Sequence, residues 1–338
     1  MWTSRRLAAF VASAVLGALT IPFAASPVHA QASLGGQRAG TSSATFLRIG
    51  VGARATGLGE SFVAVANDPS AIYWNPAGLA SLQRREVAFS HVDWPADISY
   101  EHVTIVQPSQ RLGGSLALQI GLLSTDIEET TELQPFGTGR TFTYSDFLLG
   151  GAYARRWTDK LLVGAGLKYV YEDLGKDVGG PTTSAFLFDV GSIYYLGLGS
   201  VRIATSLTNF GSELRPSGEW VSPYTGETRN YDGYDPPLMF RYGVAFEPIE
   251  NAKSRLTYAL EVNQPADNQR LVKMGLEWSY LRQFAVRSGY NFQADALKFS
   301  AGAGFMADLG QKRVNLDYAY TDGGPLGAVN RLSLGVRF

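Results

Sequence analysis

Side chains able to do covalent chemistry are sparse in this chain. Its 338 residues include three histidines and no cysteine. One histidine, His29, lies in an N-terminal stretch read below as removable, which leaves His91 and His102. Without thiolates, a zinc site has few ligands to draw on. Gly50, Gly52, Gly57 and Gly59 have the look of a phosphate-cradling loop, but no Lys-Ser/Thr pair follows at the spacing such a loop needs. No Ser/His or paired-acid arrangement assembles. The residue types therefore point away from catalysis, and no cofactor, metal or nucleic acid is expected. What remains is charge: Lys168, Asp189, Arg202, Arg241, Glu261, Lys273, Glu277 and Asp317, each inside a segment that alternates apolar and polar residues.

Those segments are the elements that position the charges. In VNRLSLGVRF, residues 329–338, Leu332, Leu334, Val336 and Phe338 share one side of a pleated strand. Arg331, Ser333, Gly335 and Arg337 share the other. Leu161, Val163, Ala165, Leu167, Tyr169 and Tyr171 oppose Gly164, Gly166 and Lys168. Val272, Met274, Leu276, Trp278 and Tyr280 oppose Lys273, Gly275, Glu277 and Ser279. Charge falls on one face only, and about ten residues per segment is what a tilted strand needs to cross a bilayer. The alternation predicts fourteen strands near 84–93, 98–107, 112–124, 143–156, 160–173, 182–195, 198–210, 237–248, 254–263, 269–280, 282–291, 295–308, 311–321 and 329–338.

Bulk composition is silent on this class. Apolar content is 45% and mean hydropathy is near zero, because a barrel hides its greasy face by alternation. The high counts of Gly (38), Tyr (17) and Phe (18) suit crowded walls and interfacial aromatic belts. Arg5 and Arg6, an apolar run over 7–24 and the small residues Val28 and Ala30 read as a secretory signal peptide, 1–30, cut after Ala30. An uncleaved anchor is the other reading. Removing 1–30 leaves 27 basic and 30 acidic residues. Connections alternate short (108–111, 158–159, 196–197, 281, 310) and long (125–142, 211–236), with 94–97, 249–253 and 292–294 as exceptions. Both ends then lie in the periplasm. In hydrocarbon no sheet edge can stay open, so 84–93 must pair with 329–338. A soluble two-sheet sandwich would leave the outward Leu, Val and Phe rows unexplained.

Residues 46–83 differ from this pattern. Glycines punctuate the first half, Phe62–Ala66 is a short apolar run, Asp68-Pro69 predicts a short helix ending near Tyr73, and Pro76 biases Asn75 out of helix. Phe46-Leu-Arg-Ile-Gly50, Gly52-Ala-Arg-Ala-Thr-Gly57, Phe62-Val-Ala-Val-Ala66 and Ala71-Ile-Tyr-Trp-Asn-Pro-Ala-Gly78 resemble the PorV/PorQ family of outer-membrane proteins, related to FadL hydrocarbon-transport barrels. The resemblance implies a transmembrane antiparallel β-barrel of about fourteen strands with an N-terminal plug, or hatch. Domains would be a signal peptide (1–30), lead and hatch (31–83) and barrel (84–338). Asn75, Pro76 and Gly78 would shape the hatch turn, with Asn75 bonding backbone groups. A periplasmic cap or an extra edge strand are the other readings of 46–80. The inward charges would then bind the plug, pair with one another, or line a solvated channel.

The same resemblance implies a non-enzymatic part in type IX protein secretion, as a shuttle for cargo C-terminal domains or as a partner in the attachment complex. The outer loop 211–236, with Trp220, Tyr224, Tyr231 and Tyr234, would hold the partner. Loop 125–142 adds Asp126, Glu128, Glu129 and Glu132 before Pro135 and Phe136. Aromatics in a polar loop give contact area at small entropic cost, although an ordinary solvated loop reads the same. The alternatives are a FadL-like channel for hydrophobic small molecules and a structural barrel that moves nothing. Outer-membrane lipid is a partner in every case.

Overall fold

The computed structural model describes residues 39–131, 133–222 and 224–338; the expected signal peptide and Glu132 lie outside them. Sixteen strands follow one another: β1 (Glu86–Trp94), β2 (Ile98–Ser109), β3 (Gly114–Glu128), β4 (Thr141–Arg156), β5 (Leu161–Asp173), β6 (Thr182–Tyr195), β7 (Arg202–Gly211), β8 (Glu219–Val221), β9 (Thr228–Asn230), β10 (Met239–Glu250), β11 (Ser254–Pro265), β12 (Leu271–Tyr280), β13 (Phe284–Asn291), β14 (Phe299–Leu309), β15 (Lys312–Asp322) and β16 (Ala328–Arg337). Each barrel strand pairs antiparallel with its neighbours, β7 pairs with β10, and β1 closes on β16. The result is one fourteen-stranded ring, with β8 and β9 forming a separate two-stranded ribbon. In the closing seam Phe89 faces Leu334 and His91 faces Leu332, so the first and last predicted strands do meet.

Side-chain alternation separates two environments. Ile105, Leu118, Ile120, Phe186, Val286 and Leu334 are exposed on the outside. Lys168, Asp189, Arg202, Arg241, Glu261, Lys273 and Glu277 are buried on the inside. Apolar side chains out and charges in is the reverse of a soluble protein, and it is the distribution a bilayer selects. No helix among the described residues is long and apolar enough to span a membrane; the strands do the crossing. An Ile120→Arg substitution, at mid-band on β3, should cost about 2–4 kcal/mol of folding free energy into lipid vesicles, read as a lowered urea midpoint.

Several predicted connections shift; the one placed at 196–197 lengthens to 196–201, because β7 starts only at Arg202. The turn placed at 249–253 tightens to 251–253, because β10 runs on through a bulge between Phe246 and Ile249. The connection placed at 292–294 lengthens to 292–298, because β14 starts only at Phe299. The loop 211–236 holds the β8–β9 ribbon, whose three-residue strands are too short to show an alternating period.

The core of the molecule is the N-terminal segment. Phe46, Leu58, Phe62, Val63, Ile72, Trp74 and Leu79 are buried. The segment turns through a 3-10 stretch (Thr45–Arg48), α1 (Ala53–Gly57), α2 (Ala71–Trp74) and a second 3-10 stretch (Pro76–Ser81). Helix α1 was not expected, since flanking glycines read as turns. Its first N–H groups find caps on the wall instead: Ala53 N donates to Ser333 Oγ at 2.8 Å and Gly52 N to Ser90 Oγ at 3.2 Å. Near the start of α2, Asp68 Oδ1 accepts from Ser70 N and Oγ. Asn75 is extended (φ −159°) ahead of Pro76, as sterics before proline require.

Candidate functional site

The segment's bonds reach strands all around the ring, which places it inside. Glu172 on β5 accepts from Ser43 Oγ and Ala44 N. On β7, Arg202 Nε donates to Ala64 O and Ser206 Oγ to Trp74 O. Glu261 on β11 accepts from Phe62 N at 2.8 Å and Val63 N at 2.7 Å. A carboxylate taking two backbone N–H groups satisfies donors that no secondary structure supplies. Beside it, Arg241 lies over the rings of Tyr73 and Trp74, 5.7 and 5.5 Å from their centroids. Ser115 Oγ on β3 donates to Leu82 O where the segment leaves for β1.

Ion pairs clamp the two ends of the α1 turn. On the side of the short turns, expected to be periplasmic, Arg54 donates to both oxygens of Glu277 at 2.9 Å and to Asp68 at 3.0 Å. Arg287 bonds Glu277 and Asp317, each at 2.6 Å. On the outer side, Lys273 Nζ donates to Glu60 at 2.7 Å, and Arg48 and Ser42 bond Asp267. Burial alone would raise the Asp267 carboxyl, but the Arg48 and Ser42 bonds outweigh it and hold it below its ordinary value. The wall pairs internally as well, Lys168 with Asp189 at 2.9 Å and Arg202 with Glu247 at 2.9 Å. The inward charges thus divide between wall–wall and wall–segment pairs. Sequence reading missed Arg54, Glu60, Glu247 and Arg287; their inward phase on strands, or their place in 46–83, was the available signal.

A belt of inward glycines makes the seat. A Cβ at Gly164 would fall 2.4 Å from Pro76 C; at Gly191, 2.0 Å from Asn75 Oδ1. At Gly275 it would meet Leu58 O at 2.5 Å, and at Gly289 the Gly59 N at 2.0 Å. Only hydrogen fits at these four places, so the segment's backbone lies directly on the wall.

Asn75, Pro76 and Gly78 converge on this seat. Asn75 is fully buried. Its Nδ2 donates to Val63 O at 3.0 Å and Ser192 O at 3.1 Å, and its Oδ1 accepts from Ala77 N at 3.1 Å. Pro76 starts the second 3-10 stretch. Gly78 lies so close to Ala66 O that a Cβ would stand 2.2 Å from it. Asn75→Ala removes three bonds at once. It should cost roughly 2–4 kcal/mol, measured by thermal unfolding, and should speed proteolysis within 42–82.

The four loop aromatics are far less gathered. Trp220 sits on β8 opposite Arg229; Tyr224 is 96% exposed beyond it. Tyr234 is bridged to Leu214 through backbone bonds and Tyr231 is half-buried. No ring contact joins any of them among the described residues.

Two cavities lie beside α1. One of about 330 Å³ opens on the short turn 251–253 and is bounded by Gly52, Ala53 and Arg54. The other, about 230 Å³, lies beneath the outer connections 266–270 and 292–298 and is bounded by Thr56, Gly59 and Glu60.

This architecture has solved counterparts. The "CymD monoaromatic hydrocarbon channel" is similar at a TM-score of 0.56 and 14% identity, over 86% of this chain and 97% of that one. The Ralstonia pickettii toluene transporter TbuX gives 0.54 at 12%, over 85% and 97%. A TodX monoaromatic hydrocarbon channel mutant gives 0.52 at 12%, over 82% and 98%. The family described as "Uncharacterised protein family (UPF0164)" matches residues 23–182, which take in the inner segment and β1–β5. None of the curated proteins matches the chain. The fold is thus that of these fourteen-stranded channels, and with its apolar exterior the chain is a fourteen-stranded outer-membrane β-barrel.

Proposed function

We propose that the protein is a channel for uptake of small molecules, closed at rest by residues 42–82 acting as a hatch. The observation that carries this reading is the pair of cavities at the two ends of the lumen, 230 Å³ outside and 330 Å³ inside, separated by the single turn of α1 and its flanking glycines. A purely structural barrel has no need of space on both sides of that turn. The similar solved structures are named as monoaromatic hydrocarbon channels and a toluene transporter; hydrophobic small molecules are the cargo those names would carry over. The reading involves no enzymatic step.

Deletion of 42–82 should turn a silent barrel into a steady pore in planar bilayers, with heat-modifiable gel migration showing that the barrel still forms. If the deleted form folds but conducts no more than the intact chain, the hatch role is wrong.

A second reading, docking of a secretion-system protein or a cargo C-terminal domain, draws on the outer loops. Tyr224 and Phe136 are 96% and 98% exposed there, and large exposed rings favour recognition. Neither the family match nor the structural neighbours add to it. A pull-down from the native host that recovers no such domain, and that is unchanged by Tyr224→Ala with Phe136→Ala, would remove it.

A further inference from the structure

The outer cavity has a chemistry of its own. Three buried polar atoms that find no partner bound it or point to it from three different elements: Arg48 Nε from the hatch, Asn291 Oδ1 at the end of β13 and Ser300 Oγ on β14. Asn291 and Ser300 are 8% and 2% exposed. Buried polar groups are almost always bonded, so three orphans around one space mark a site that a ligand completes. Together they offer a donor (Arg48), an acceptor (Asn291) and a hydroxyl able to act as either.

The buried charges at the same site cancel, and the remaining one on its lining, Asp295, is exposed to solvent. Arg48 is held by Asp267 and Lys273 by Glu60. A net anion or cation would therefore meet no unbalanced opposite charge, and a hydrocarbon would leave all three orphans unmet. Trp94 and Leu297 supply an apolar wall beside the polar atoms. The volume, 230 Å³, equals roughly eight waters of liquid, which limits the occupant to a small solute.

We infer that this cavity is a binding site for a small neutral polyhydroxylated solute of monosaccharide size, held on the outer side of the α1 turn. The inference rests on the channel reading and names its substrate class, which differs from that of the similar channels.

The test uses the full chain in proteoliposomes, with isotonic swelling in arabinose, glucose and sucrose, and equilibrium dialysis of labelled glucose and toluene against the detergent-solubilised protein. Arabinose and glucose should open the resting hatch on binding and swell the vesicles; sucrose, too large for the cavity, should not. Ser300→Ala with Asn291→Leu should weaken glucose binding by about tenfold or more, as loss of two bonds implies, and leave heat-modifiable migration unchanged. Should that variant fail to fold, glucose against toluene in the wild-type protein still decides. Toluene bound or passed with no sugar bound or passed overturns the polar site and leaves the channel. Passage of neither overturns the channel reading and the site together. Glucose binding untouched in the folded double variant overturns the placement of the site.

Discussion

Replacing Gly289 with valine should unseat the proposed hatch. The new Cβ would stand 2.0 Å from Gly59 N and 2.3 Å from Leu58 C, distances no real contact shows. The clash is with backbone on both sides, so no side chain can swing away. Overpacking costs about 1–3 kcal/mol where neighbours can yield, and a double backbone clash belongs at the top of that range or beyond it. The cheapest relief is for the 57–60 turn to lift from the wall, which also breaks the Lys273–Glu60 bond. On the channel reading, Gly289→Val should therefore conduct in planar bilayers where the wild type does not, and should expose 42–82 to protease. Gly151→Ala on the outward face of β4 is the control. Its Cβ would meet Leu118 at an ordinary 3.5 Å, so it should stay within about 0.5 kcal/mol of wild type. A Gly289→Val protein that stays closed and protected would mean that the belt is not the seat.

The second large effect is at Glu277. Its carboxylate accepts from Arg54 on the hatch and from Arg287 on the wall, and its side chain is only 10% exposed. Removing one partner of a buried ionic cluster leaves uncompensated charge, a loss of about 3–5 kcal/mol. Glu277→Ala should show that loss in thermal or urea unfolding. Asp68 and Asp317 remain to share the two guanidiniums, which places the loss at the lower end. Glu277→Gln keeps an acceptor and should lose less. In a double-mutant cycle with Arg54→Leu, a coupling of about 0.5–3 kcal/mol is expected for groups in direct contact. Additive single effects would show that Glu277 serves the wall alone and does not hold the hatch.

Strand identity was legible in the sequence because a two-residue period is a local property. Leu332 and Leu334 against Arg331 and Ser333 needed no partner to be read. The closing pair of strands was legible too, since hydrocarbon tolerates no free edge. The inward phase of Lys273 and Glu277 followed from the same alternation. Boundaries were not, where a bulge carried β10 through Ile249 or where the three-residue strands β8 and β9 paired only with each other.

What only the tertiary structure decided is which inward group meets which. Arg54 and Glu277 lie 223 residues apart, and Asn75 and Ser192 lie 117 apart; no local pattern couples them. Gly289 reads as one more glycine on a strand until the ring closes and brings Gly59 against it. Helix α1 is a single turn between glycines, capped by Ser90 and Ser333 of the wall, so it is too short to show a helical period in the sequence. The orphaned atoms of Asn291 and Ser300 face one cavity only after β13 and β14 curve around it. Alternation along the chain sets which side each residue takes, whereas closure of the ring in three dimensions sets its neighbours.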